Sequence, residues 1–176
     1  MRRFLLGLSS LTLFAACAGA TAEAPLTLKL GTPREQTLKD VKAASFCPKL
    51  DGPAQRTETY PRCERAGTEW GEAWVTATYD NDKLVEVRRW ERYDNDDHAV
   101  ERWNKLIGDR MKASPDATDA GDLLRARGPL EPGTRSVKAF LIDSKTIVAV
   151  YLLTPAPPEN ATILEAIMTS RPGAQP

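Results

Sequence analysis

The sequence predicts an α+β domain: an antiparallel sheet of four to five strands built from two hairpins, with helices packed on one face. Two stretches rich in β-branched and aromatic residues, Trp70 to Tyr93 and Arg135 to Leu153, each surround a cluster of turn-forming residues. Runs with apolar residues at helical spacing lie before, between and after them, giving the order helix, hairpin, helix, hairpin, helix. An internal echo, Gly67-Thr68 six residues before Ala73-Trp74-Val75 and Gly133-Thr134 six before Ala139-Phe140-Leu141, suggests a duplicated α-β-β unit.

The N-terminus precedes that domain. Arg2 and Arg3 stand before the uncharged apolar run Phe4 to Ala16, and small residues follow with no acid before Glu23. This is the basic, apolar and small-residue order of a secretory signal, predicted over residues 1–20, and its apolar run is shorter than the roughly 20 residues of a membrane span. Phe14-Ala15-Ala16-Cys17 resembles the lipobox of bacterial lipoproteins, departing from it at Phe14. That resemblance implies cleavage before Cys17, lipidation of that cysteine and, since Ala18 rather than aspartate follows, residence at the outer membrane. Ala18-Gly19-Ala20 offers the other cleavage, which would release a soluble periplasmic or secreted protein.

A single α+β domain is expected over residues 26–169. Leu26 to Leu30 alternates apolar and polar residues as a short strand would. Thr32 reads as an N-cap, Pro33 as the first helical residue and Glu35 as the closing member of a capping box, with Leu38 and Val41 following at helical spacing to a helix end near Phe46. Leu30-Gly31-Thr32-Pro33 through Val41 is similar to the opening of several small outer-membrane lipoproteins, including the BamE-type assembly factors, which also start a helix after a strand and a glycine.

Asn81-Asp82 reads as a two-residue turn, because both residue types tolerate positive φ. Asp94 to Asp97 supplies an N-cap and first-turn acids for a second helix to Lys112, with Val100, Trp103, Ile107 and Met111 expected on its buried face. Ala113 to Gly133 reads as a surface connection, with one helical turn around Leu123-Leu124. The second hairpin turns about Asp143 to Thr146 and would place Val137, Ala139, Leu141, Val148, Val150 and Leu152 on one face. Pro157-Pro158 and Asn160 then introduce a last helix carrying Ile163, Leu164, Ile167 and Met168, and residues 170–176 form a flexible tail.

Of the three cysteines, Cys17 is removed or acylated by either cleavage, which leaves Cys47 and Cys63. Two thiols in an exported domain imply one disulfide, closing a loop of 15 residues, Pro48 to Arg62, that is rich in proline. The chain-entropy model assigns such a closure about 3 kcal/mol. No C-x-x-C occurs and His98 is the single histidine, so no metal site is expected.

Lys and Arg number 24, as do Asp and Glu; loss of Arg2 and Arg3 leaves 22 against 24, a mature charge of −2. With no concentrated basic patch, nucleic acid is not an expected partner, and a membrane is expected only through lipid at Cys17. No P-loop, dinucleotide glycine pattern, G-x-S-x-G or H-E-x-x-H occurs, and no cofactor is expected. His98 with Asp94 and Asp97 could form a general base oriented by carboxylates, the basis for a small envelope hydrolase; as an exposed helix start the same acids would serve backbone amides. All four tryptophans, Trp70, Trp74, Trp90 and Trp103, fall in one stretch. With the two-residue turn, Trp74 faces Arg89 and Trp70 faces Tyr93, a mixture of aromatic and charged groups suited to a contact surface. The resulting expectation is an exported, non-catalytic module that binds an envelope protein or another envelope component through Trp70, Trp74, Arg89 and Tyr93.

Overall fold

The structure, a computed structural model, describes residues 24–47, 55–63, 73–154 and 161–170. The expected leader with Cys17, the stretch holding Trp70, and the expected tail after Ser170 lie outside the described residues. Three helices and seven strands follow in the order α1 (Arg34–Ala43), β1 (Thr57–Pro61), β2 (Ala73–Asp80), β3 (Lys83–Arg92), α2 (Asp96–Ala113), β4 (Thr118–Asp119), α3 (Gly121–Ala126), β5 (Thr134–Asp143), β6 (Thr146–Leu153) and β7 (Thr162–Thr169). The class is α+β, and all strands join one antiparallel sheet in the order β1-β2-β3-β7-β6-β5-β4. Seven strands replace the four to five expected. The additional strands are the edge strands β1 and β4 and, at the centre, β7.

β7 corrects the predicted last helix. Ile163, Leu164, Ile167 and Met168 fit a helical stripe, but they belong to an eight-residue run in which seven residues are buried, and a short run apolar on both sides also fits a central strand. Thr162, Ile163, Ile167 and Thr169 are β-branched and favour the extended form. β7 pairs with β3 on one side and β6 on the other, so it joins the two hairpins into one sheet.

Each hairpin turns where expected and then departs from the expected register. Asn81 and Asp82 both adopt positive φ, 48° and 61°, the signature of a type I′ turn. Beyond it Tyr79 pairs with Leu84 but Thr78 with Glu86, leaving Val85 as a bulge. The second hairpin pairs Asp143 with Thr146 and Leu141 with Ile147, leaving Ile142 out in the same way. One extra residue moves every later side chain of a strand to the opposite face relative to its partner. Val137, Ala139 and Leu141 therefore share a face with Ile147, Ala149 and Tyr151, not with Val148, Val150 and Leu152.

Helices cover both faces of the sheet, rather than one. On the first face, α1 brings Val41 onto Val75, Ala77, Leu84 and Val87, while α2 brings Ala99 and Leu106 onto Val150, Leu152 and Ile163. On the second face, Ala120 and Leu124 at α3 cover Ile147, Ala149, Leu164 and Ala166. α2 turns Ala99, Arg102, Leu106 and Arg110 toward the sheet. The expected face is only flanking: Val100, Trp103 and Ile107 are partly buried and Met111 is 57% exposed.

Leu26 to Leu30 forms no strand, although Leu26 and Leu28 are buried and Thr27 and Lys29 exposed, as the alternation implied. The backbone of Leu26 is taken by side chains: its amide donates to Glu165 Oε2 at 3.2 Å and its carbonyl accepts from Arg110. α1 begins one residue later than expected, with Pro33 at its N-cap and no side-chain capping bond. The Thr32 hydroxyl donates back to Lys29, and Glu35 pairs with Lys39 instead of closing a capping box. Cys47 and Cys63 are joined by a disulfide, with Cα atoms 4.7 Å apart, tying the end of α1 to the end of β1. Reciprocal backbone bonds, Cys47 to Pro61 at 2.8 Å and Cys63 to Ser45 at 2.9 Å, hold the same junction.

Candidate functional site

The bulge at Val85 decides which side chains meet. It sets Trp74 opposite Trp90, Thr76 opposite Arg88 and Thr78 opposite Glu86, all on the second face, and sends Arg89 opposite Val75 onto the first. β1 adds Thr57 beside Thr78, Thr59 beside Thr76 and Pro61 beside Trp74. Over β1, β2 and β3 this second face carries two indoles, four threonines and charged groups, all at least partly exposed. Next to it, over β5, β6 and β7, the same face is sealed beneath α3.

The two indoles lie nearly parallel, with planes 9° apart and centroids 6.0 Å apart. Trp90 also packs against the sealed cluster, which fixes it at the boundary, while Trp74 stands toward the open side. The Arg92 guanidinium lies 5.5 Å from the centroid of Trp74. Arg88 pairs with Glu86 at 2.9 Å and with Glu131, from the segment leading into β5, at 2.8 Å. Burial works against the Arg88 charge, but Glu86 and Glu131 outweigh it and raise its pKa above the usual arginine value. Thr57 and Thr78 hydroxyls are 3.2 Å apart. A shallow depression of about 430 Å³ runs over Thr57, Thr76, Thr78, Glu86, Arg88 and the two tryptophans.

The four residues expected to form a contact surface are thus divided. Trp74 is on the half-open face. Trp70 lies outside the described residues. Arg89 and Tyr93 are core residues, 1% and 2% exposed, because the bulge turned this part of β3 inward. They join a buried charged layer between the sheet and α2. Arg89 reaches Glu165 Oε2 at 2.8 Å and Glu91 Oε1 at 3.1 Å; Arg102 holds Glu91 at 2.7 and 2.8 Å, and Arg110 holds Glu165 at 2.6 Å. The Tyr93 hydroxyl donates to Glu91 at 2.5 Å. With three guanidinium groups against two carboxylates, backbone carbonyls accept further donors: Arg89 to Ala24 at 2.5 Å and Arg110 to Leu26. This layer was not anticipated. Its sequence signals are Glu165 inside the apolar run Ile163 to Met168, and Arg102 and Arg110 in phase with Ala99 and Leu106.

His98 occupies the first turn of α2, its side chain 38% exposed and its Nδ1 3.1 Å from Asp94 Oδ1. Asn95 is the N-cap, accepting the His98 amide at 2.9 Å, and its side-chain nitrogen is 2.8 Å from the imidazole. Asp97 is exposed in the same turn. The group is arranged as a capped helix start, with acids placed at the positive end of the dipole. Among the described residues no group of three or more His, Cys, Asp or Glu is placed to hold a metal ion. No protein-family model matches the chain, and no match is found among curated proteins or solved structures.

Proposed function

We propose that this chain is an exported, non-catalytic protein of the bacterial envelope that binds another protein or an envelope component through the second face of β1, β2 and β3. The observation that carries the reading is the Trp74–Trp90 pair, held parallel by cross-strand pairing on the half of the sheet face that α3 leaves open. Aromatic rings set in a partly polar surface are the usual energetic centres of protein contacts. The leader-like residues 1–20 and a disulfide between Cys47 and Cys63 support export, since such bonds persist in oxidising compartments. Cleavage before Cys17 would leave a lipid-anchored protein at the outer membrane, and cleavage after Ala20 a soluble one. The hydrolase reading has only the 3.1 Å Asp94–His98 contact behind it, at an exposed helix start where Asn95 caps the backbone.

Chemical crosslinking in intact cells followed by affinity capture tests the proposal. Among the described residues Trp74 belongs to none of the buried clusters, so Trp74→Ala is expected to leave the thermal midpoint nearly unchanged while removing partners that the parent protein captures. Unchanged capture, or collapse of folding, would show that this ring has no binding role.

A further inference from the structure

We infer that the face over β1, β2 and β3 takes an uncharged glycan chain, a ligand class that deepens the binding reading above and rests on it. A pyranose ring presents a flat face of C–H groups bounded by hydroxyls. It therefore needs an aromatic plane beneath it and short polar groups, both donors and acceptors, around it. Trp74 and Trp90, stacked on each other with planes 9° apart, supply a preformed aromatic surface on one face of a sheet, with the Arg92 guanidinium beside it. Thr76 and Thr78 lie beside them on β2, and Thr57 and Thr59 one strand further out. Their hydroxyls both donate and accept, Glu86 accepts, and Arg88 donates.

Charge and shape separate this ligand from others. Arg88 and Arg92 are matched in number by Glu86 and Glu131 around the face, which gives a polyanion no net attraction. No aliphatic side chain other than Pro61 stands in the rows that pair across this face from β1 to β3, so an amphipathic helix would find little to bury. A peptide adding as a strand would need a sheet edge rather than a face. The 430 Å³ depression is open and shallow, suited to a chain lying across it. Preformed pairing of the rings means that little ordering is needed on binding.

The test is titration of the mature, exported protein with oligomers of N-acetylglucosamine and of glucose, followed by intrinsic tryptophan fluorescence and by amide chemical shifts. Saturable changes confined to β1, β2 and β3 are expected with at least one of these neutral oligomers, with little dependence on salt. Trp74→Ala should weaken binding about tenfold, the loss typical of one aromatic contact plus its buried area. Thr76→Val, which keeps the shape and removes a hydroxyl, should weaken it by a smaller factor. No saturable change with either oligomer, equal binding by Trp74→Ala, or binding only to heparin with steep salt dependence would overturn the glycan assignment. If the oligomers fail while Trp74→Ala still abolishes crosslinked capture of a protein partner, the glycan inference falls and the binding reading stands.

Discussion

Glu91 shows how the core tolerates charge. Burial alone would favour its neutral form, but Arg89, Arg102 and the Tyr93 hydroxyl outweigh that and hold its carboxyl down at about 2. Tyr93 moves the opposite way: burial and the neighbouring Glu91 raise its hydroxyl above the usual value. Because the ordinary carboxyl value is 4.5, the unfolded chain takes up this proton before the folded one as the pH falls. The associated stabilisation is therefore complete above about pH 5 and is lost on the way down to about pH 2, a change of about 3 kcal/mol. Urea unfolding followed across that interval should show the loss in the parent protein and a flatter profile in Glu91→Gln, which carries no titrating group there. Parallel profiles would mean that Glu91 does not control the acid limb. Removing one partner from such a layer leaves the others buried and uncompensated, whereas the intact layer also fixes the chain at Ala24 and Leu26.

Among the elements, the hairpin turns were readable because they depend on local backbone chemistry. Asn81 and Asp82 are among the few residue types that accept left-handed φ, and they stand where the turn forms. Asn81→Val should therefore cost about 1–2 kcal/mol in urea unfolding, since a β-branched residue resists that conformation; an unchanged midpoint would show that the turn relaxes. The bulges at Val85 and Ile142 were not readable, because each hairpin remains well patterned in either register until a third strand selects the buried face. β7 makes that selection. It places Glu165 opposite Arg89 and Ile167 opposite Val87. The sequence of β7 suits a helix or a buried strand equally, and only the gap between two hairpins distinguishes them. The same long-range choice rotated α2, whose Arg102 and Arg110 face inward because Glu91 and Glu165 are there to receive them. The candidate site was legible only in part: tryptophan grouping marked the region, but the single-residue bulge exchanged Arg89 for Trp90 as the neighbour of Trp74.

At the scale of the molecule, one face of the sheet is covered by α1 and α2, and among the described residues the other is covered over β5, β6 and β7 by α3. The disulfide restrains the margin of the half-open side by joining the end of β1 to the chain after α1. Cys47→Ser or Cys63→Ser should lower stability by about 3 kcal/mol in denaturant unfolding, and reduction of the parent protein should lower it similarly. A change near zero would mean that the backbone bonds of Cys47 and Cys63 suffice at this junction. The charged layer and central β7 hold the core, while Trp74, the threonines and Arg92 stand on the partly open surface proposed for binding. On the proposed reading, the protein meets its partner at this surface. A photo-crosslinking residue placed at Thr76, in the middle of the face, tests it directly in living cells, with Met111 on the exposed side of α2 as the comparison site. Adducts are expected from position 76 that disappear when Trp74→Ala is added, and none from position 111; adducts from 111 with none from 76 would place the contact elsewhere.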